Sequence, residues 1–253
     1  MGYTPASRQA DTDSNPSMSN TPSQPEPQAQ GGKIFILGLP RTGTTSISVA
    51  LLEAGLKVAH MAFTKRAFEL ADAVADTPCF SDYRQLDALF PGARFVYLER
   101  EISGWLASMQ MLLGKMLPHL DEKTGYFHPV LKRSFRHTFG VGQVADPRDS
   151  EHLTNCYQRH RQEVLAYFDG RQDFLSLDVS RQGSLGTLLQ FLGLAAEANE
   201  STDDEQELNF PKLNVGRDVA GWGEYKHPNK INANSAGPQS RKFFDYKLEE
   251  RSA

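Results

Sequence analysis

Nine consecutive residues, Gly38-Leu39-Pro40-Arg41-Thr42-Gly43-Thr44-Thr45-Ser46, bring together two glycines, one guanidinium and a run of hydroxyls. An unbroken apolar stretch, Ile34-Phe35-Ile36-Leu37, stands before them, and Ile47, Ala50, Leu51 and Ala54 repeat after them at helical spacing. Strand, glycine loop, helix is the setting in which backbone cradles a phosphate. The N–H groups of Gly43, Thr44, Thr45 and Ser46 are directed at an anion, with the positive end of the helix behind them. Gly38 and Gly43 have Walker A spacing, but Thr44 stands where that loop needs a lysine to reach the β and γ phosphates. The cation lies three residues earlier, at Arg41. Such a loop holds an anionic group and is poorly equipped for transfer from a nucleoside triphosphate.

The elements that must position this loop follow from periodicity. Residues 56–60 read as a second strand, 64–74 and 81–90 as helices, and Pro91-Gly92 stops the latter. A third strand covers 94–98, and Ile102, Trp105, Leu106, Met109, Leu112, Leu113 and Met116 mark an amphipathic helix. Helical stretches at 129–139 and 150–168, a fourth strand at 174–178 and a helix at 184–192 complete the alternation. The pattern predicts a single three-layer α/β domain with a mainly parallel central sheet and ligands at the carboxyl ends of its strands.

Boundaries come from composition. Residues 1–32 contain no Leu, Ile, Val or Phe, and prolines at 5, 16, 22, 25 and 27, the composition of a disordered leader. The α/β domain is expected over 33–224, with an acidic surface loop at 197–207, and 225–253 reads as a polar segment of unassigned order.

A chain of 253 residues buries a full core without staples. Its net charge of −4 argues against a dedicated nucleic-acid or anionic-membrane partner. Cys79 and Cys156 are too few and too far apart for a structural zinc site or a disulfide framework, which fits a reducing compartment. There is no membrane-length apolar run and no secretory pattern in the first thirty residues, so a cytoplasmic protein without a membrane span is the expectation.

The stretch from Leu39 to Ser46 resembles the 5′-phosphosulfate loop of the sulfotransferases that use 3′-phosphoadenosine 5′-phosphosulfate (PAPS). Arg41 matches the cationic position, Gly43 the glycine, and Thr44 and Thr45 the paired threonines. A second match is Phe95-Val96-Tyr97-Leu98-Glu99-Arg100 with Ser108 eight residues on, similar to the strand-end arginine and helical serine that grip the 3′-phosphate. Asp76-Thr77-Pro78, Phe90-Pro91-Gly92-Ala93-Arg94-Phe95 and Phe210-Pro211-Lys212-Leu213-Asn214 resemble stretches of a bacterial-type branch of the family. Arg217-Asp218-Val219-Ala220-Gly221-Trp222 lacks the Lys-Gly of the family's closing segment, so no role passes to Arg217.

The resemblance implies a P-loop NTPase-like sulfotransferase fold. It also implies a nucleotide site of Pro40, Arg41, Thr42, Gly43, Thr44, Thr45, Ser46, Arg100 and Ser108, with PAPS as co-substrate and no metal. The reaction so implied is in-line movement of a sulfuryl group to a hydroxyl or amine of an acceptor, with Arg41 expected where the departing nucleotide gathers charge. His60, ending the second strand beside the phosphate loop, is the first candidate for the base, with Glu69 and Asp82 as alternatives; a lone strand-end histidine also fits a structural role. Residues 117–144 are expected to shape the acceptor pocket. Two rivals remain at this level. One is a small-molecule kinase with a degenerate loop, for which Asp178 comes nearest to a Walker B carboxylate; the other is a nucleotide-binding module of the same fold without catalysis.

Overall fold

The computed structural model describes residues 32–194, 209–210 and 222–236. Residues 1–31 of the expected leader, the acidic stretch 197–207 and the motif residues 211–214 and 217–221 lie outside them.

Five described strands form one parallel sheet in the order β2-β3-β1-β4-β5, made of β1 (Ile34–Ile36), β2 (Val58–Ala59), β3 (Ala73–Val74), β4 (Arg94–Leu98) and β5 (Phe174–Leu177). Helices α1 (Thr44–Glu53), α2 (Lys65–Leu70), α3 (Cys79–Leu89), α4 (Ile102–Leu120), α5 (Pro129–Phe139), α6 (Ser150–Tyr167) and α7 (Ser184–Leu192) surround it. Central strands buried on both faces need apolar residues at every position, and the alternation divides them between two layers. Ile34, Ile36, Val96 and Leu98 pack with Ile47 and Leu51 of α1 and Leu188 and Leu192 of α7. Phe35, Leu37, Phe95 and Tyr97 turn the other way, against Phe68 of α2, Tyr83 of α3 and Val164 of α6. Each such side chain, fully buried, stabilises by roughly 1.5–3 kcal/mol.

A third apolar cluster sits beyond the carboxyl ends of the strands. Leu39, Phe63 and Phe80, which follow β1, β2 and β3, meet Trp105, Met109 and Leu113 of α4 and Phe135 and Phe139 of α5. Trp105, Met109 and Leu113 are four apart, so one face of α4 is buried along its length. Glu101 caps the start of α4 by accepting from Ser103 N and Gly104 N at 2.9 and 3.0 Å.

One expectation is corrected. Residues 64–74 do not form one helix: α2 stops at Leu70, Ala71 is extended, and Ala73–Val74 become β3 between β1 and β2. Tertiary pairing overrides the helix preference of alanine here, because Asp72 N donates to Lys57 O at 2.7 Å and Ala75 N to Ala59 O at 2.9 Å. As a result β2 does not adjoin β1, and His60 leaves the sheet one strand farther from the phosphate loop than the sequence suggests. A carboxylate, Asp76, instead follows the strand beside that loop.

The described part of the C-terminal segment lies along the outer edge of β2. Val58 N donates to Asn229 O at 3.0 Å, Ile231 N to Val58 O at 2.9 Å, and Phe63 N to Ala233 O at 2.9 Å. This covers an edge that would otherwise present unpaired backbone groups.

Candidate functional site

The turn from β1 into α1 is held by its own short-range bonds and by one indole. Thr42 donates through N and Oγ1 to Leu39 O at 3.2 and 2.7 Å, and Trp105 Nε1 of α4 donates to Pro40 O at 2.9 Å. Gly43, the residue before α1, has φ 107°. A Cβ there would be strained in itself and would lie 2.5 Å from Val179 Cγ2. At Gly38 a Cβ would fall 2.6 Å from the Cβ of Leu98, so the loop lies close against β4. No side chain caps the start of α1 and its first turn carries no acidic residue. The first N–H groups of that helix have no intrahelical acceptor, which leaves a positive concavity suited to an anion.

Two guanidiniums converge on this end. Arg41 has φ 74° and donates from Nε to Ser108 Oγ of α4 at 2.7 Å. Arg100, at the end of β4, donates from Nη1 to Arg41 O at 2.5 Å. Its backbone is fixed by Tyr157 of α6, whose hydroxyl accepts from Arg100 N at 3.0 Å and donates to Arg100 O at 2.7 Å. Among the described residues neither guanidinium has a carboxylate in ion-pair contact. Burial, then the neighbouring Arg100, pull the Arg41 pKa below its ordinary value, while Asp76 opposes them. Both guanidiniums border the same cleft.

The β2 and β3 ends contribute two further titratable groups. His60 is buried, with Nε2 in hydrogen-bond contact with Thr45 Oγ1 at 3.2 Å and its ring stacked on Trp222 at 5.3 Å. Burial lowers its pKa; Asp76 acts upward and Lys230 downward. Asp76 is half-buried and has φ 52°. Its Oδ1 accepts from Thr77 Oγ1 at 3.1 Å and its Oδ2 from Thr44 Oγ1 at 3.4 Å. Burial raises its pKa, with His60 and the hydrogen bonds from Thr77 and Thr44 opposing.

These groups line one cleft of about 1070 Å³ at the carboxyl end of the sheet. Pro40, Arg41, Thr42, Gly43, Thr44, Thr45, Ser46, His60, Arg100 and Ser108 all border it, with Asp76 among them. Gly104, Ala107, Met111 and Leu112 of α4 form one wall, and Asp178, Val179, Ser180, Asn209 and Phe210 form another. The alternative bases do not reach the cleft. Glu69 lies on α2 in ion pairs with Lys65 and Arg66, and Asp82 is buried in contact with Arg133 of α5. From the segment expected to shape the acceptor pocket, His119 packs tilted against Tyr126 and His128 stacks on Phe63, and neither borders the cleft. Among the described residues no group of three or more His, Cys, Asp or Glu is placed to hold a metal ion, and no helix is long and apolar enough to cross a membrane.

Sequence reasoning did not single out Asp76 as a site residue. Its signal was present: Ala73-Val74-Ala75 is a short run of small apolar residues ending in a carboxylate and followed by Thr77-Pro78. Alanine content hid the strand.

Comparison with known proteins is consistent with this geometry. The model of the sulfotransferase domain matches residues 33–65 and 62–219, which is most of the chain. A curated relative, Ava biosynthesis cluster protein M of Aspergillus versicolor, is 32% identical over 111 residues, covering 32% of this chain and 43% of the relative. The match therefore spans less than half of that protein's length.

Proposed function

The chain belongs to the sulfotransferase-domain family, and from that premise we propose that it moves a sulfuryl group from PAPS to a hydroxyl or amine of an acceptor. The observation that carries the proposal is the meeting of two guanidiniums, Arg41 and Arg100, with no carboxylate in contact among the described residues, at the uncapped start of α1. A donor with two separated anionic groups matches them: the loop amides and Arg41 suit the 5′ end, and Arg100 with Ser108 suits a 3′-phosphate.

The residues also fit the chemistry. Sulfuryl transfer leaves negative charge on the departing nucleotide, and the N–H groups of Thr44, Thr45 and Ser46 together with Arg41 stabilise it where it develops. The fixed turn, pinned by Trp105 and by the close packing at Gly38 and Gly43, holds these donors without reorganisation. With Thr44 at the Walker lysine position and the guanidinium three residues earlier, the loop lacks the lysine that reaches a γ-phosphate, which favours this reading over a kinase.

Calorimetry with adenosine 3′,5′-bisphosphate and with AMP, each with and without Mg²⁺, tests the reading. The bisphosphate is expected to bind more tightly than AMP and without help from the metal. Arg100→Ala should weaken it by about 2–5 kcal/mol and leave AMP affinity nearly unchanged. Equal affinity for the two nucleotides would remove the 3′-phosphate site and the proposal with it.

A further inference from the structure

Two ionisable side chains, His60 and Asp76, border the cleft from beyond the ends of β2 and β3, and they differ in how open they are to it. His60 is 8% exposed, its Nε2 is engaged by Thr45 Oγ1 at 3.2 Å, and one ring face lies against Trp222. An acceptor reaching that imidazole would have to displace a hydroxyl or an indole. Asp76 borders the same cleft and is the less buried of the two. It follows β3, which hydrogen-bonds to β1, and β1 leads straight into the phosphate loop. His60 follows β2, one strand spacing of about 4.8 Å farther out.

The Asp76 carboxylate is also oriented. Thr77 Oγ1 holds Oδ1 at 3.1 Å. Oδ2 faces the loop, where its partner is the Thr44 hydroxyl at a long 3.4 Å. A bond of that length is weak, and a better-placed hydroxyl replaces it at little cost. The backbone at Asp76, at φ 52°, lies in the left-handed region that non-glycine residues adopt rarely and that recurs at functional sites.

We propose that Asp76 is the general base of the transfer and receives the acceptor's proton at Oδ2. This rests on the sulfuryl-transfer reading above. As the acceptor O–H or N–H gives its proton to Asp76, its electron pair forms the new bond to sulfur. The S–O bond to the 5′-phosphate breaks, and its electron pair leaves on the nucleotide beside Arg41 and the loop amides. Asp76 is left as the carboxylic acid and returns its proton to water through the open cleft. His60, behind Thr45, acts on this carboxylate as an electrostatic neighbour. The other charged or titratable groups acting on it are Arg41 of the loop and Cys79 of α3. A carboxylate kept partly from water is a stronger base than one in solution, consistent with the raised pKa of Asp76.

The test compares the full chain with Asp76→Asn and Asp76→Glu. Three quantities are measured: bisphosphate binding by calorimetry, release of inorganic sulfate from PAPS to water, and titration of carboxyl carbons by NMR. In the wild type one carboxyl should titrate above the ordinary aspartate range, and that signal should vanish in Asp76→Asn. Asp76→Asn should slow sulfate release about 10²–10⁴-fold while holding the bisphosphate within about threefold of wild type, and Asp76→Glu should recover part of the rate. Sulfate release within tenfold of wild type in Asp76→Asn, with binding intact, would overturn the base assignment alone. So would the absence of a raised carboxyl titration in the wild type, which requires no variant to fold. A wild type that fails to bind the bisphosphate would instead overturn the sulfuryl-transfer reading, and the base with it.

Discussion

Arg41 combines a left-handed backbone and a hydrogen bond to Ser108 with a pKa that burial and Arg100 pull down, so its charge is held at some cost. If that charge serves the departing nucleotide, Arg41→Ala should lower the saturated rate roughly 10²–10³-fold and weaken donor binding far less. Arg41→Lys should restore part of the rate. Single-turnover kinetics separates the two effects, and a large rise in Kd at an unchanged rate would make Arg41 a ground-state anchor instead. At this scale the sequence was informative wherever a residue's place depends on neighbours in the chain. The spacing of Arg41, Gly43 and Thr44 and the interval from Arg100 to Ser108 are local, and all five residues border the same cleft. Asp76 was not legible, because its place depends on which strands pair.

The same division runs through the elements. Strand β4, helix α5 and helix α7 coincide with their periodic patterns at 94–98, 129–139 and 184–192, each with a strong apolar repeat or a clear stop. Strand β3 has two residues, Ala73 and Val74, between Asp72 and Ala75, too little for a period to register. Helix α4 matters beyond its own packing. Its Trp105 satisfies the carbonyl of Pro40, its Ser108 receives Arg41, and its exposed face supplies a wall of the cleft. Trp105→Phe keeps most of the apolar volume and removes the N–H. Leaving the Pro40 carbonyl without that donor should cost about 1–3 kcal/mol in urea melts. It should also weaken bisphosphate binding, because the loop loses its anchor; a stability loss with unaltered affinity would show that the other loop bonds suffice.

For the molecule as a whole, His60 and Asp76 pull acid stability in opposite directions. His60 in the unfolded chain takes a proton near its ordinary pKa of about 6.5, while the folded chain holds it neutral to lower pH. Below that value the unfolded state binds more protons, so stability falls as the pH drops towards the folded pKa. The folded pKa of Asp76 is raised, so between its ordinary value and that raised one the folded state binds more protons. Across that window stability falls as the pH rises. His60→Gln should therefore flatten the stability curve just below about pH 6.5, and Asp76→Asn should flatten it at more acid pH, both read from denaturant midpoints across the range. An unchanged slope in His60→Gln would mean that the folded and unfolded imidazoles titrate alike.

The chain has two tryptophans, and the fold sets each against a residue that borders the cleft, Trp105 against Pro40 and Trp222 against His60. Trp105 is fully buried and bonded to the phosphate loop, while Trp222 lies flat on His60 and under the Lys230 ammonium at 4.3 Å. The indole emission of this protein is therefore a built-in optical probe. One chromophore senses whether the loop carbonyl it touches shifts when a nucleotide enters, and the other senses the charge state of an imidazole in ring contact. Replacing either indole leaves the signal of the other alone, so loop occupancy and histidine protonation become separately visible in unlabelled protein.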